Sequence, residues 1–136
     1  MLLLVLALLA STVMIGAANY QKGLLKAKGI AKDEFIQLFT SLGVAAEVAA
    51  SVYDYYQQES GAAAFQVSPQ FSLRAVFRKS HEDVDEDVTE ILRELRIELP
   101  PESILREWPG PLLTVRDVVN WISWVRERRS SNRQLT

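Results

Sequence analysis

The sequence predicts an all-α protein in which a single transmembrane helix precedes a small helical bundle. Residues 2–18 contain no charged side chain and are rich in leucine and valine. Beyond residue 32, apolar side chains recur every three or four positions, as on one face of a helix, and strand-like alternation is absent. We expect a transmembrane anchor at residues 1–20, a juxtamembrane linker at 21–32, a helical domain at 33–128 and a disordered basic tail at 129–136.

The composition excludes several classes of protein. A chain of 136 residues has room for one compact domain plus an appendage, and a net charge of -2 is not typical of nucleic-acid binding. Because cysteine is absent, the chain has no disulfide, zinc-thiolate cluster or thiol nucleophile. With His81 as the only histidine, a histidine metal cluster or a Ser-His-Asp site would depend on one position.

The apolar amino-terminal segment is long enough to cross a bilayer once. Its nine strongly apolar residues favour insertion by about 3 to 5 kcal/mol. As a helix extended to Tyr20 it would span roughly 28 Å, close to the ~30 Å of a hydrocarbon core. Lysines follow the segment and none precedes it, so the positive-inside rule places the carboxyl-terminal domain in the cytoplasm. In a prokaryote the membrane would be the bacterial inner membrane.

Two other interpretations of this segment stay open. Gly16, Ala17 and Ala18 are small enough for a signal-peptidase site, although a signal peptide would carry basic residues before its apolar stretch. A buried helix in a soluble bundle is disfavoured because the segment has no polar face.

The first half of the domain contains apolar patterns typical of two helices and a third, shorter one. Phe35 and Phe39 are on the apolar face of the first, which Gly43 interrupts. The second contains a tyrosine cluster, which we interpret as core packing with solvated hydroxyls, and Ser60-Gly61 closes it. Ser68-Pro69 predicts an N-cap and first-turn proline for the third.

An acidic amphipathic helix follows. Its apolar stripe comprises Val84, Val88, Ile91, Leu92 and Leu95. Six acidic residues precede its first base, Arg93: Glu82, Asp83, Asp85, Glu86, Asp87 and Glu90. Acidic side chains in a first turn favour the positive end of the helix dipole, so a solvated helix start explains part of this set. A docking surface for a basic partner is the second interpretation.

Prolines and caps define the remaining elements. Pro100-Pro101 ends the acidic helix and precedes a short helix from Glu102 to Trp108, after which the sequence PGP forces a turn. Thr114 is a natural N-cap for the last helix, with Asp117 in the acidic position of a capping box.

Two stretches, LRIELPPESI and TVRDVVNWI, together with the acidic helix before them, resemble the acyl carrier protein family over about residues 44–125. That resemblance implies a four-helix carrier shape. A gap-free alignment from Pro100 places His81 where the family has its phosphopantetheine-bearing serine, and a one-residue shift places Ser80 there. The family has Asp before that serine and an apolar residue after it, whereas Ser80 lies between Lys79 and His81. We therefore expect no phosphopantetheine, with Ser80 as the one candidate attachment site.

Catalysis is not expected. Asp83 and Asp87 lie one helical turn apart but at an exposed helix start, where nothing desolvates them. Metal binding by Asp83, Asp85 and Asp87 would need a loop that converges the ligands. The sequence thus predicts a non-enzyme without cofactor or metal, a membrane-anchored docking domain whose acidic helix binds a basic protein surface. The alternatives are a genuine membrane-tethered carrier, or a structural subunit whose Gly16, Ala17 and Ala18 allow close helix packing.

Overall fold

A computed structural model describes residues 28–134, and within that range all regular secondary structure is helical. The elements are α1 (Lys32–Thr40), α2 (Ala46–Glu59), α3 (Leu73–Phe77), α4 (His81–Glu94), α5 (Glu102–Leu105) and α6 (Val115–Gln134). The only β-type pairings in this range are two isolated bridges, Ile30 with Val67 and Ser72 with Thr114. The predicted all-α class is confirmed for the domain. The predicted membrane anchor lies outside the described residues.

Helix α2 is the central element and packs against α1, α4 and α6. Its buried residues Val48, Val52 and Tyr56 are spaced four apart and form one face. Phe35 and Phe39 of α1 are fully buried one turn apart, and the Phe35 ring contacts Tyr53 at a centroid distance of 5.1 Å. Each such phenylalanine contributes about 1.5–3 kcal/mol by leaving water. The core is thus one apolar cluster shared by α1, α2, α4 and α6, to which Leu73 of α3 and the loop residues Val44, Val67 and Phe71 also belong.

The helix ends follow the sequence signals in most places. Gly43 and Gly61 adopt φ values of 89° and 75°, in the left-handed region where glycine avoids the Cβ penalty. Thr114 and Asp117 form the predicted capping box, since each side chain accepts the other's backbone N–H. One cap was predicted wrongly. Ser72, and not Ser68, is the N-cap of α3, because Ser68 instead forms a turn with Gln70.

Three segment boundaries also differ from the predictions. The short helix α5 ends at Leu105 and not at Trp108. Helix α6 continues to Gln134, so residues 129–134 are helical and not a disordered tail. Arg129 helps to explain the extension, because it pairs with Glu98 from another segment. Residues 28–31 of the predicted linker pack on the domain, with Gly29 so close to Gln66 that a Cβ would lie 1.8 Å from its carbonyl oxygen.

None of the helices between residues 28 and 134 combines the length and apolarity needed to cross a membrane.

Candidate functional site

The six acidic residues of the predicted docking helix do not share one environment. Glu82, Asp85, Glu86 and Glu90 are exposed on α4, and Asp83 is half-buried at its first turn. Asp87 is only 2% exposed and lies in the core between α4 and α2. This placement corrects the prediction for Asp87, which is not available to a partner's surface in the folded domain.

Asp87 is held by hydrogen bonds from two neighbouring segments. The Tyr55 hydroxyl donates to Asp87 Oδ1 at 2.5 Å, and the Tyr56 hydroxyl donates to Oδ2 at 3.3 Å. The Lys79 ammonium donates to Oδ1 at 3.2 Å. A buried carboxylate is strongly disfavoured unless it is paired and hydrogen-bonded, and here three donors satisfy it. The group therefore ties α4 to α2 and to the loop before α4.

Lys79 bridges a buried and a more exposed carboxylate. Its ammonium lies 3.2 Å from Asp87 and 3.1 Å from Glu59, and its side chain is 14% exposed. Burial acts to lower the pKa of Lys79, but the hydrogen bonds and negative charges of Glu59 and Asp87 outweigh burial, so the pKa is raised. Lys79 thus stays charged, and its charge is paired with two carboxylates of the same domain.

The two tyrosines are kept neutral. Burial raises the pKa of both Tyr55 and Tyr56, and the nearby Asp87 carboxylate raises it further by accepting hydrogen bonds from their hydroxyls and by its negative charge. The hydroxyls are therefore donors throughout the physiological pH range. We predicted that these hydroxyls would be solvated, whereas they pair with Asp87.

Asp87, Tyr55, Tyr56 and Lys79 form the buried cluster, and a polar depression opens beside it. It encloses about 560 Å³ between α2 and α4, with Tyr55, Glu59 and Lys79 on one side and the acidic residues of α4 on the other. Four exposed carboxylates, Glu82, Asp85, Glu86 and Glu90, make up the acidic face of α4, and they form no ion pair within residues 28–134. The acidic face borders the depression, and its charge is not neutralised by contacts within the described part of the chain.

Ser80 is the N-cap of α4. Its hydroxyl accepts the Asp83 N–H at 3.2 Å, and the Asp83 carboxylate accepts the Ser80 N–H at 2.8 Å. Hydrogen bonds from the backbone and then the side chain of Ser80 lower the pKa of Asp83, with a further contribution from the Lys79 charge. Ser80 itself is exposed. The residue has a structural role in the capping box, and its hydroxyl also lies at the surface.

Metal-ligating residues do not converge in the part of the chain that the structure describes. No three His, Cys, Asp or Glu side chains there are placed to hold an ion. Asp85 points to solvent while Asp87 points to the core, so the acidic triplet Asp83, Asp85 and Asp87 is spread around the helix. His81 is exposed in the first turn of α4.

The buried cluster could have been detected in part from the sequence. Asp87 is three residues after Val84 and four before Ile91, so it lies on the apolar stripe of α4. A charged residue on such a stripe requires a buried partner. The identity of that partner was not accessible, because Tyr55 is 32 residues away in the sequence.

Comparison with known proteins assigns no relative: no protein-family model, no curated protein and no solved structure matches the chain.

Proposed function

We propose that the protein is a membrane-anchored, non-catalytic docking domain of acyl-carrier-like shape, which binds a basic surface of another protein through its acidic face. The observation that carries this proposal is the clustering, on one side of α4, of carboxylates left unpaired by residues 28–134. Four exposed carboxylates have no cationic partner within the described residues, although several other acidic residues of the domain are ion-paired. Unpaired surface charge of one sign steers and orients an oppositely charged partner.

The buried cluster supports this proposal by fixing the helix that carries the acidic face. Asp87 connects α4 to Tyr55 and Tyr56 of α2, and the Ser80–Asp83 capping box fixes the first turn. A surface on a rigid element loses less conformational freedom on binding than a loop does. Lys79 and Arg93 line the depression; Lys79 is paired with Glu59 and Asp87, and Arg93 forms no ion pair with the acidic face within residues 28–134.

The carrier-like part of the proposal rests on the resemblance of two sequence stretches and on the order of the helices. The resemblance implies a long helix, a loop, an acidic helix, a short helix and a closing helix; α2, α4, α5 and α6 occur in that order, with α1 before them and the short α3 between α2 and α4. Residues 2–20 would hold this domain at the membrane surface. Such tethering raises the effective concentration of the domain near a membrane-bound partner without adding a contact.

Site-specific cross-linking of the full chain in its native membrane tests the docking proposal. A photo-reactive amino acid at position 86 should give a discrete adduct with one protein, and the same group at position 34 of α1 should not. The triple variant Glu82→Lys, Asp85→Lys, Glu90→Lys should abolish the adduct. The matched reversal Asp33→Lys, Glu34→Lys on α1 should leave it intact. An adduct that survives the triple reversal with unchanged salt dependence would rule out the acidic face as the docking surface.

A second candidate function is that of a genuine carrier, and it is favoured by the exposure of Ser80 at the start of α4. Its neighbours Lys79 and His81 differ from the Asp and apolar residue that the carrier resemblance implies. Incubation with a phosphopantetheinyl transferase and coenzyme A, followed by intact-mass measurement, separates the candidates. A gain of one phosphopantetheine that is lost in Ser80→Ala supports the carrier. An unchanged mass counts against the carrier.

A further inference from the structure

A segment from Glu98 to Leu112, the strap, connects α4 to α6 and contains α5. Its ends are fixed by backbone hydrogen bonds at 2.9 Å, from Ile97 N–H to the Leu92 carbonyl and from Leu73 N–H to the Leu113 carbonyl. Between these points, every backbone-to-backbone hydrogen bond of the strap that lies within residues 28–134 is internal to it. The strap is therefore held to the bundle through side chains.

The strap contacts the core only through half-buried apolar side chains, those of Leu105, Trp108 and Leu112. Helix α5 contains no buried residue, and Leu99 near the start of the strap and Leu113 directly after its end are each 55% exposed. Its four prolines, Pro100, Pro101, Pro109 and Pro111, cannot donate backbone hydrogen bonds to a neighbouring segment. Segments with few buried contacts open at lower free energy than the core does.

Two ion pairs and one aromatic contact connect the strap to α6. Arg128 pairs with Glu107, and Arg129 pairs with Glu98. The Trp108 and Trp124 rings lie 5.5 Å apart, and the Arg128 guanidinium lies 5.8 Å from the Trp124 ring centroid. Both ion pairs are substantially exposed, so dissolved salt screens them.

We propose that the strap is a detachable cover, which lifts from α6 as a unit while the bundle stays folded, and that Arg128 and Arg129 set how often it opens. Opening separates Trp108 from Trp124 and frees both guanidinium groups on α6. Rising ionic strength favours the open state because it weakens the two ion pairs. The inference does not depend on the docking function of the acidic face.

Thiol labelling of the full chain tests this proposal, because the sequence has no cysteine and one introduced thiol reports one site. Leu105→Cys places the thiol on the half-buried side of the strap, and Val88→Cys places it in the core as a measure of global unfolding. The thiol at position 105 should react at least about tenfold faster than the thiol at position 88, because local opening precedes global unfolding. Equal rates would overturn the proposal, since the strap would then open only when the domain unfolds.

The fastening role of the arginines has its own control. Arg128→Gln with Arg129→Gln should speed labelling at position 105 by roughly 2- to 30-fold, as expected for the loss of two exposed ion pairs, and leave position 88 unchanged. Arg106→Gln breaks a pair with Glu102 that lies wholly within the strap, and it should leave both rates unchanged. An equal acceleration by Arg106→Gln, or acceleration of both thiols by the double variant, would contradict the proposal.

Discussion

Glu86 and Asp87 are consecutive residues of α4 with opposite surroundings. The Glu86 side chain is exposed and has no ion-pair partner within residues 28–134, whereas Asp87 is 2% exposed and accepts hydrogen bonds from Tyr55, Tyr56 and Lys79. One side of the helix thus uses a carboxylate to hold the domain together. The other side of the helix exposes carboxylates at the surface of the domain. The same residue chemistry therefore has different consequences according to which side of the helix carries it.

The largest expected effect comes from removing the buried carboxylate. Asp87→Ala leaves two tyrosine hydroxyls without their acceptor and leaves the Lys79 ammonium with Glu59 alone, and loss of one partner of a buried pair destabilises by about 3–5 kcal/mol. Asp85→Ala, two positions earlier on the exposed side, should change the free energy of unfolding by no more than about 0.5 kcal/mol. Urea unfolding followed by circular dichroism measures both. A loss below about 1 kcal/mol for Asp87→Ala would show that the cluster does not hold α4 to α2.

A smaller effect is expected when one donor is removed. Tyr55→Phe deletes the 2.5 Å hydrogen bond to Asp87 while the ring is kept, and a bond to a charged acceptor contributes about 1.5–3 kcal/mol. Tyr56→Phe removes the longer bond of 3.3 Å and should cost less. The order of the two urea midpoints checks this ranking. The reverse order would mean that the geometry at Asp87 is not the source of the stability.

The sequence predicted the helices better than it predicted how the acidic residues are divided. Periodic apolar positions and local caps specify helices through contacts within a few residues, which is why the Thr114–Asp117 capping box and the left-handed Gly61 were predictable. The division of acids depends on Tyr55 and Lys79, which reach Asp87 only after α2 and α4 have packed together. Arg129, in the extension of α6, likewise pairs with a residue distant in the sequence, Glu98.

Alkaline pH should reduce the stability that the hydrogen bonds around Asp87 give to the domain. The pKa values of Tyr55, Tyr56 and Lys79 are all raised in the folded domain from ordinary values of 10.0 for tyrosine and 10.5 for lysine. Groups with a raised folded pKa give a stability that is complete below the unfolded pKa and is lost as pH rises through the folded pKa. We therefore expect stability to fall above about pH 10. Tyr55→Phe should show a shallower fall in urea midpoint between about pH 9 and 11, and an unchanged slope would contradict the assignment.

Substitution of the N-cap residue of α4, Ser80, should have a moderate effect on the stability of the domain. Ser80→Ala removes the acceptor for the Asp83 N–H, and loss of an N-cap side chain costs about 1 kcal/mol. Ser80→Asp restores an accepting side chain and should recover most of the loss. Thermal unfolding of the two variants measures the difference. Equal destabilisation by Ala and Asp would mean that Ser80 acts through something other than its cap.

Substitutions on the exposed side of α4 should have the smallest effect on stability. Glu86→Lys and Glu90→Lys should each alter the free energy of unfolding by no more than about 0.5 kcal/mol, because no ion pair within residues 28–134 is lost. A small gain would arise from reduced repulsion among neighbouring carboxylates, and it should shrink in high salt. A loss of several kcal/mol in either variant would show that the substituted residue, like Asp87, helps to hold the fold together.

The most direct measurement compares Asp87→Asn with Glu86→Gln in urea unfolding, since each substitution removes one negative charge with almost no change in shape. Asp87→Asn should lower the free energy of unfolding by about 1.5–3 kcal/mol, because it removes a charged acceptor that three donors share. Glu86→Gln should leave it within about 0.5 kcal/mol of the unsubstituted chain. Equal losses for the two variants would contradict the division of α4 into a side that holds the fold and a side that faces a partner.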